Sequence, residues 1–289
     1  MKINKLFVCL DLSDYDRECI KYAAFLVANT ESVSKVVLFH NIRFDFINAL
    51  PDFEKTAVND LKRKIEQKII NQYRHVFDHP RVVLQVIVDD NNNTNASLEN
   101  TIGNHKKTLV VMGLKKREDG TGIVPMKHLA HTGLTNPVLL CPRKTLPRVS
   151  SVLLAVDLSS RTDEILDAGV FFAQKLNSKI TGVNVNALPV SYFPYIDFSS
   201  RTIREKLKAK AKKRFHHFLE KNEQFQDDWD FELLTGDNIA ASIFNYFEER
   251  RCDLLIIGKT GETHAKHNRL GGTTNRILKI DFRKPVLVV

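Results

Sequence analysis

The sequence predicts two tandem α/β domains, each an open parallel sheet in a three-layer α/β/α sandwich, and three observations carry that expectation. The first is internal repetition: "LFVCLDLSD" at 6–14 returns as "VLLAVDLSS" at 152–160, "TLVVMG" ending at Gly113 returns as "DLLIIG" ending at Gly258, and "NPVLLCP" around Pro137 returns as "KPVLVV" around Pro285. The offsets are 146, 145 and 148 residues, so a whole domain is duplicated and no short-period solenoid is present. The second is alternation of short, continuously apolar runs with stretches of helical periodicity, which is how a parallel sheet covered on both faces reads. The third is length: 289 residues with 43% hydrophobic content give each of two domains enough apolar material for a core.

Taken along the chain, the first copy has strand-like runs near Lys5–Leu10, Lys35–His40, Val82–Val88, Leu109–Met112 and Val138–Leu140. Its helix at Lys55–Phe77 presents Val58, Leu61, Ile65, Ile69, Tyr73 and Val76 as one stripe, read as core. In the segment "PRKTLP" at 142–147, two prolines and two basic residues separate the copies, giving domains at 1–143 and 148–289. The second copy follows with a strand at Val152–Val156, a helix at Thr162–Leu176 carrying Ile165, Gly169, Phe172, Ala173 and Leu176 on one face, and a strand at Lys179–Val185. A basic helix to about Glu223, a strand near Trp229–Leu234, a helix at Asn238–Arg250, a strand at Asp253–Ile257, a glycine-rich segment opening a helix, and a last strand at Pro285–Val289 complete it.

The formal net charge of +9 suggests a polyanionic partner, but its distribution argues otherwise. Arg201–Arg214 holds eight Lys/Arg and one Glu, while Ile203, Leu207, Ala211, Phe215 and Phe218 recur at helical spacing, so the cations read as the wet side of an amphipathic helix. No aromatics interleave with them, which removes the stacking platform that single-stranded nucleic acid uses. With no apolar run of membrane-spanning length and no leader-like N-terminus, a cytoplasmic protein without membrane contact is expected. The four cysteines form no CxxC pair and read as buried thiols.

One segment breaks the pattern of an ordinary core. Four of the twelve glycines fall between Gly258 and Gly272, after the fourth strand of the second copy and before its last helix. In open parallel sheets, ligands bind outside the carboxyl ends of the strands, where the strand order reverses. Gly258 and Gly261 there would let the backbone approach a ligand, and Gly272 with the hydroxyls of Thr273 and Thr274 would face an anion. Turn glycines with a threonine N-cap account for the same letters. Asp157, after the first strand of this copy, likewise reads either as a turn or capping residue or as a carboxylate accepting hydrogen bonds from a ligand.

This constellation resembles the universal stress protein family in a tandem form spanning nearly the whole chain. The residues that carry the resemblance are the Asp after strand one, the "PVLVV"-type last strand, and a signature of the form GxxG, nine residues, then G[ST]. Gly258, Lys259, Thr260 and Gly261 match its first part; Gly272 and Thr273 match its last after ten residues, and taking Gly271 instead restores nine but places Gly272 where a hydroxyl belongs. The resemblance implies a Rossmann-like, adenine-nucleotide-hydrolase-like fold and a stress-response protein binding ATP or a related adenine nucleotide, with magnesium as its companion ion. It implies that Asp157 and Val185 border adenine and ribose, that Ile257, Gly258, Thr260 and Gly261 line the nucleotide's middle, and that Gly272, Thr273 and Thr274 stand at the phosphates.

The first copy departs from the signature. Leu114, Lys115 and Lys116 follow Gly113, and Val124 and Pro125 stand where Gly and Ser/Thr belong, a proline offering neither N–H nor hydroxyl. The span from Gly113 to Pro137 is 24 positions against 27 from Gly258 to Pro285. A non-binding copy with a structural or partner-facing role is expected, Gly120 and Gly122 building a different turn. His128/His131 and His264/His267 share a three-residue spacing with no ligand set beside them, so no metal site is expected. No nucleophile elbow, triad, HExxH or Walker A sequence occurs, and binding without catalysis is expected, any ATP turnover being slow. The alternative is an interaction scaffold without nucleotide, acting through sheet edges and the basic helix on a protein partner. For either, the two last strands are expected to pair as an intramolecular pseudo-dimer, with a homodimer as the further step.

Overall fold

The computed structural model describes residues 1–42, 55–91, 93–103, 107–115, 135–159, 162–187, 201–220, 229–260 and 270–289. Two compact units result, one of Lys2–Pro147 with Arg283–Pro285, the other of Met1, Arg148–Phe282 and Val286–Val289.

The N-terminal unit contains β1 (Lys5–Leu10), α1 (Asp14–Asn29), β2 (Lys35–Asn41), α2 (Lys55–Tyr73), β3 (Val83–Asp89), α3 (Thr94–Ile102), β4 (Thr108–Gly113) and β5 (Val138–Cys141). Its strands lie in the order β3-β2-β1-β4-β5 and pair in parallel, Val8 standing opposite both Leu38 and Val111. Strands β1, β2 and β4 are apolar along their length because both faces are covered: Leu6, Val8, Val36, Leu38, Leu109, Val110 and Val111 are inaccessible to solvent, whereas β3 at the edge is partly exposed, with Val83 at 64%. Phe7 and Phe39 meet across the β1–β2 pair at 5.2 Å. The helix expected to run through Phe77 stops at Tyr73 and tightens into a 3-10 turn at Arg74–Phe77, the usual way a helix end satisfies its last carbonyls. Its stripe is half-buried except at Ile69, which is fully enclosed. Asn93 caps α3, its side chain accepting from the amides of Asn95 and Ala96, and Gly103 closes that helix at φ 60°.

The C-terminal unit repeats the plan with β6 (Ser151–Ala155), α4 (Thr162–Leu176), β7 (Lys179–Ala187), α5 (Arg201–Glu220), β8 (Asp230–Gly236), α6 (Ile239–Glu249), β9 (Leu254–Ile257), α7 (Gly272–Ile277) and β10 (Val286–Val288). Its order, β10-β9-β6-β7-β8, is that of the first unit, with every pair parallel. Trp229 packs so closely under α4 that a Cβ on Gly169 would sit 2.9 Å from its ring and from Leu154. Phe215 of α5 stacks on Phe231 at 4.6 Å and fills the space above Gly182. On that helix Ala211 and Phe215 are buried, while Lys206, Lys208, Lys210, Lys212, Lys213 and Arg214 are exposed, as the amphipathic reading requires. Ile203, Leu207 and Phe218 lie outside the residues whose side chains are described. All four cysteines are free thiols, three of them buried. Among the described residues no helix is long and apolar enough to cross a membrane.

Candidate functional site

In each unit the strand order reverses between the first and fourth strands, leaving a crevice at their carboxyl ends. In the C-terminal unit β6 runs out through Val156 into Asp157, Leu158 and Ser159. Leu158 is held at φ 57°, a left-handed conformation that a bulky residue adopts only when its surroundings demand it. The demand comes from the Asp157 carboxylate, whose Oδ1 accepts from the Ser159 amide at 3.0 Å and from the Thr162 hydroxyl at 3.4 Å. Asp157 is therefore a turn residue, and its exposed side chain also borders the crevice.

That crevice is a cleft of about 200 Å³. Eight of the nine residues expected from the sequence line it: Asp157, Val185, Ile257, Gly258, Thr260, Gly272, Thr273 and Thr274. The ninth, Gly261, lies outside the described residues. Neither Gly258 nor Gly272 has a positive φ, so the need for glycine there is one of space. Among the described residues an added Cβ on Gly258 would find only ordinary contacts at 3.5 Å, and one on Gly272 would meet nothing within 4 Å. The cleft is thus left open by glycines that the protein's own packing does not require. Beside them Thr260 is 8% exposed, and among the described residues its Oγ1 has no hydrogen-bond partner. A buried hydroxyl without a partner costs about 1–3 kcal/mol, which a ligand atom at that spot would recover.

Thr274 lines the cleft with its hydroxyl already engaged within the protein. Its hydroxyl donates to the Gly258 carbonyl at 2.7 Å, so its proton braces the glycine turn against α7 and is not offered to a phosphate. The Gly271 amide donates to the Lys259 carbonyl at 2.8 Å, and the Lys259 amide reaches the Val289 carbonyl at 2.5 Å, fixing the turn from both sides. Gly271 is the N-cap of α7 and lines the cleft together with Gly272, so both glycines weighed for the motif belong to one wall.

Sequence reasoning missed the apolar wall formed by Ile165, Ile239, Ile243 and Ile277. Ile239 and Ile243 stand one turn apart at the start of α6, whose Asn238 cap accepts from the Ala241 amide, and that spacing was the available signal. Asn184 was missed as well. It lines the cleft and donates through Nδ2 to the Val156 carbonyl at 2.9 Å, tying β7 to the end of β6. His40 does the same in the first unit, its ring lying 3.0 Å from the Leu10 carbonyl. Burial lowers the His40 pKa, which keeps the ring neutral.

The corresponding place in the N-terminal unit is filled from within. Asp11 again accepts from the Ser13 amide at 3.0 Å, and Leu12 is again left-handed at φ 62°. Lys115, two residues after Gly113 as Thr260 is after Gly258, is 5% exposed and forms an ion pair with Asp11. Its ammonium lies 5.5 Å from the centre of the Tyr15 ring, and Arg143 lies 4.6 Å from the same ring. Tyr15 covers Gly113 so tightly that a Cβ there would come within 2.7 Å of it. Behind this pair Asp16 accepts from the amides of Asp11 and Leu12, each at 2.9 Å. Burial, reinforced by the charge on Asp11, pushes its pKa up to about 7 against the opposing pull of those amides. Residues 120–125 and both histidine pairs lie outside the described residues.

These features define the second unit's class: a parallel α/β domain with an open, glycine-lined cleft at its topological switch point. Residues 149–289 match the model of the Universal stress protein family. A universal stress protein of Methanocaldococcus jannaschii is 22% identical over 141 residues, which are 48% of this chain and 80% of that protein. The crystal structure of a universal stress protein from Archaeoglobus fulgidus is similar over 100% of this chain and 98% of its own, with a TM-score of 0.72 and 16% identity. At that identity the likeness shows the fold, an α/β architecture shared along the whole chain. The cytoplasmic domain of a prokaryotic cation chloride cotransporter also matches, over 100% of this chain and 95% of its own, with a TM-score of 0.53 and 12% identity. One architecture thus serves proteins described very differently, and function has to be argued from the site.

Proposed function

We propose that this chain is a stress-response regulatory protein, not an enzyme, whose C-terminal unit binds ATP or a related adenine nucleotide and whose partner contacts change on binding. The observation that carries the reading is the Thr260 hydroxyl, buried and, among the described residues, without a partner, in a cleft where those residues leave the walls at Gly258 and Gly272 bare. In this reading Asp157 and Val185 border base and ribose, the isoleucine wall covers the base, and Thr260 meets the ribose or the first phosphate. At about 200 Å³ the cleft is smaller than the roughly 300–1,000 Å³ of pockets that enclose a whole ligand, which suits a nucleotide held by its nucleoside end. Magnesium arrives with the phosphates. The N-terminal unit, its cleft filled by Lys115, takes a structural or partner-facing role.

Isothermal titration of ATP into the full chain and into its Gly272→Leu variant tests this. The added side chain enters open space, so the expected result is unchanged thermal stability with affinity lowered at least tenfold. ATP binding indifferent to that change would place the nucleotide elsewhere, and no binding to the wild type would end the proposal.

A further inference from the structure

A second concavity, of about 610 Å³, lies within the N-terminal unit between α1 and the end of α2 with its 3-10 turn. Its floor is apolar: Ile20 is buried, and Ala24, Phe25, Tyr73 and Val76 are half-exposed. Pro147 closes one margin, with Leu146 beside it 81% exposed, its carbonyl accepting from the Tyr22 hydroxyl at 2.9 Å. The polar margin carries Arg17, Lys21 and His75, and among the described residues no carboxylate lines the groove. Glu18, which meets Lys21 at 3.1 Å, is buried behind that margin and does not line it.

We infer that this groove docks an acidic amphipathic helix of a partner protein. Ala24 and Ala28, one turn apart on α1, leave a low channel along which another helix can approach closely. From Arg17 to Ala28 α1 rises about 16 Å, the length of three helical turns, which suits a partner presenting apolar residues at i, i+3, i+4 and i+7. A strand is a poor occupant, since helix flanks offer its backbone N–H and C=O groups no ladder. The sign of the partner follows from the rim: Arg17 is exposed, Lys21 keeps part of its side chain in solvent beside its buried partner Glu18, and no carboxylate lines the groove among the described residues, which selects Asp and Glu on the flanks of the incoming helix and disfavours basic ones. The inference is independent of nucleotide binding, because no residue of the groove belongs to the C-terminal cleft.

A displayed library of random 14-residue peptides, selected on the full chain and counter-selected on its Ala24→Arg variant, tests the inference. Enriched sequences should be net acidic with helical apolar spacing. A synthesised winner should bind at least tenfold more weakly to Arg17→Glu, a surface charge reversal that leaves the Lys21–Glu18 pair intact and whose melting temperature should match the wild type. Failure to enrich beyond the counter-selected pool, enrichment of basic or uncharged sequences, or binding that ignores the charge reversal would each overturn it. So would saturable laurate binding without peptide enrichment, which would make the groove a small-amphiphile site.

Discussion

The two units share a frame and differ at one point. Each ends its first strand with the same aspartate turn, with a left-handed leucine at φ 62° in one and 57° in the other, and each ties its second strand to the first by a side chain reaching a carbonyl, His40 in one and Asn184 in the other. Two residues past the glycine at the end of the fourth strand in one unit and just after it in the other, however, one carries Lys115, paired with Asp11, and the other carries Thr260, whose hydroxyl has no partner among the described residues. The turn is thus a property of the fold, needed to leave the strand and enter the helix. What the crevice holds is a property of that later position: a cation supplied by the chain itself, or an opening for something else.

The sharpest way to break the comparison is to remove the internal cation. Lys115→Met leaves Asp11 beside Asp16 with no counter-charge, and breaking a buried pair in this way costs about 3–5 kcal/mol. Amide hydrogen exchange read by mass spectrometry should show β1 and α1 losing protection while β6 and α4 keep theirs; equal loss in both units would deny that the pair acts locally. The reciprocal exchange, Thr260→Lys, places a lysine before Asp157 as the first unit does before Asp11. ATP affinity should fall at least 100-fold, and titration calorimetry showing wild-type affinity would mean that the two positions are not equivalent.

A smaller effect concerns the proton on Asp16. The folded unit holds it up to about pH 7, whereas an ordinary aspartate releases it near 3.8. The stabilisation from the held proton is therefore complete below about pH 4 and is lost as the pH rises through 7. Exchange protection in α1 should weaken between pH 5 and pH 8 by on the order of 2 kcal/mol after correction for intrinsic rates, and Asp16→Asn should abolish the slope. A slope that survives the substitution would assign the proton to another group. Smallest is a pair of glycine substitutions. Gly113→Ala drives a methyl into Tyr15 and should cost about 1–3 kcal/mol in unfolding, whereas Gly272→Ala enters empty space and should stay within about 0.5 kcal/mol.

Much of this was legible before any coordinates. Apolar runs located the ten strands of the described residues to within a residue or two, most firmly the inner ones, because a strand buried on both faces leaves little choice of side chain. The cleft residues were legible through the resemblance and their place after the fourth strand. Besides Asn184, three matters were not. The Thr274 hydroxyl bonds a carbonyl sixteen positions away, and a threonine after a glycine looks the same whether it braces a turn or faces an anion. The isoleucine wall is written in the same letters as any helix core, and only the fold separates those lining an opening from those filling one. Lys115 was read as an interruption of a motif, since burial of an ammonium can be foreseen only when its partner, Asp11, is known to stand across from it.

The placement of Trp229 has a practical result. It is the chain's single tryptophan, 6% exposed and wedged beneath α4 in the C-terminal unit. Indole emission therefore watches one half of the molecule and is blind to the other, so a denaturation curve recorded by fluorescence and one recorded by circular dichroism on the same sample would separate whenever the duplicated halves melt independently.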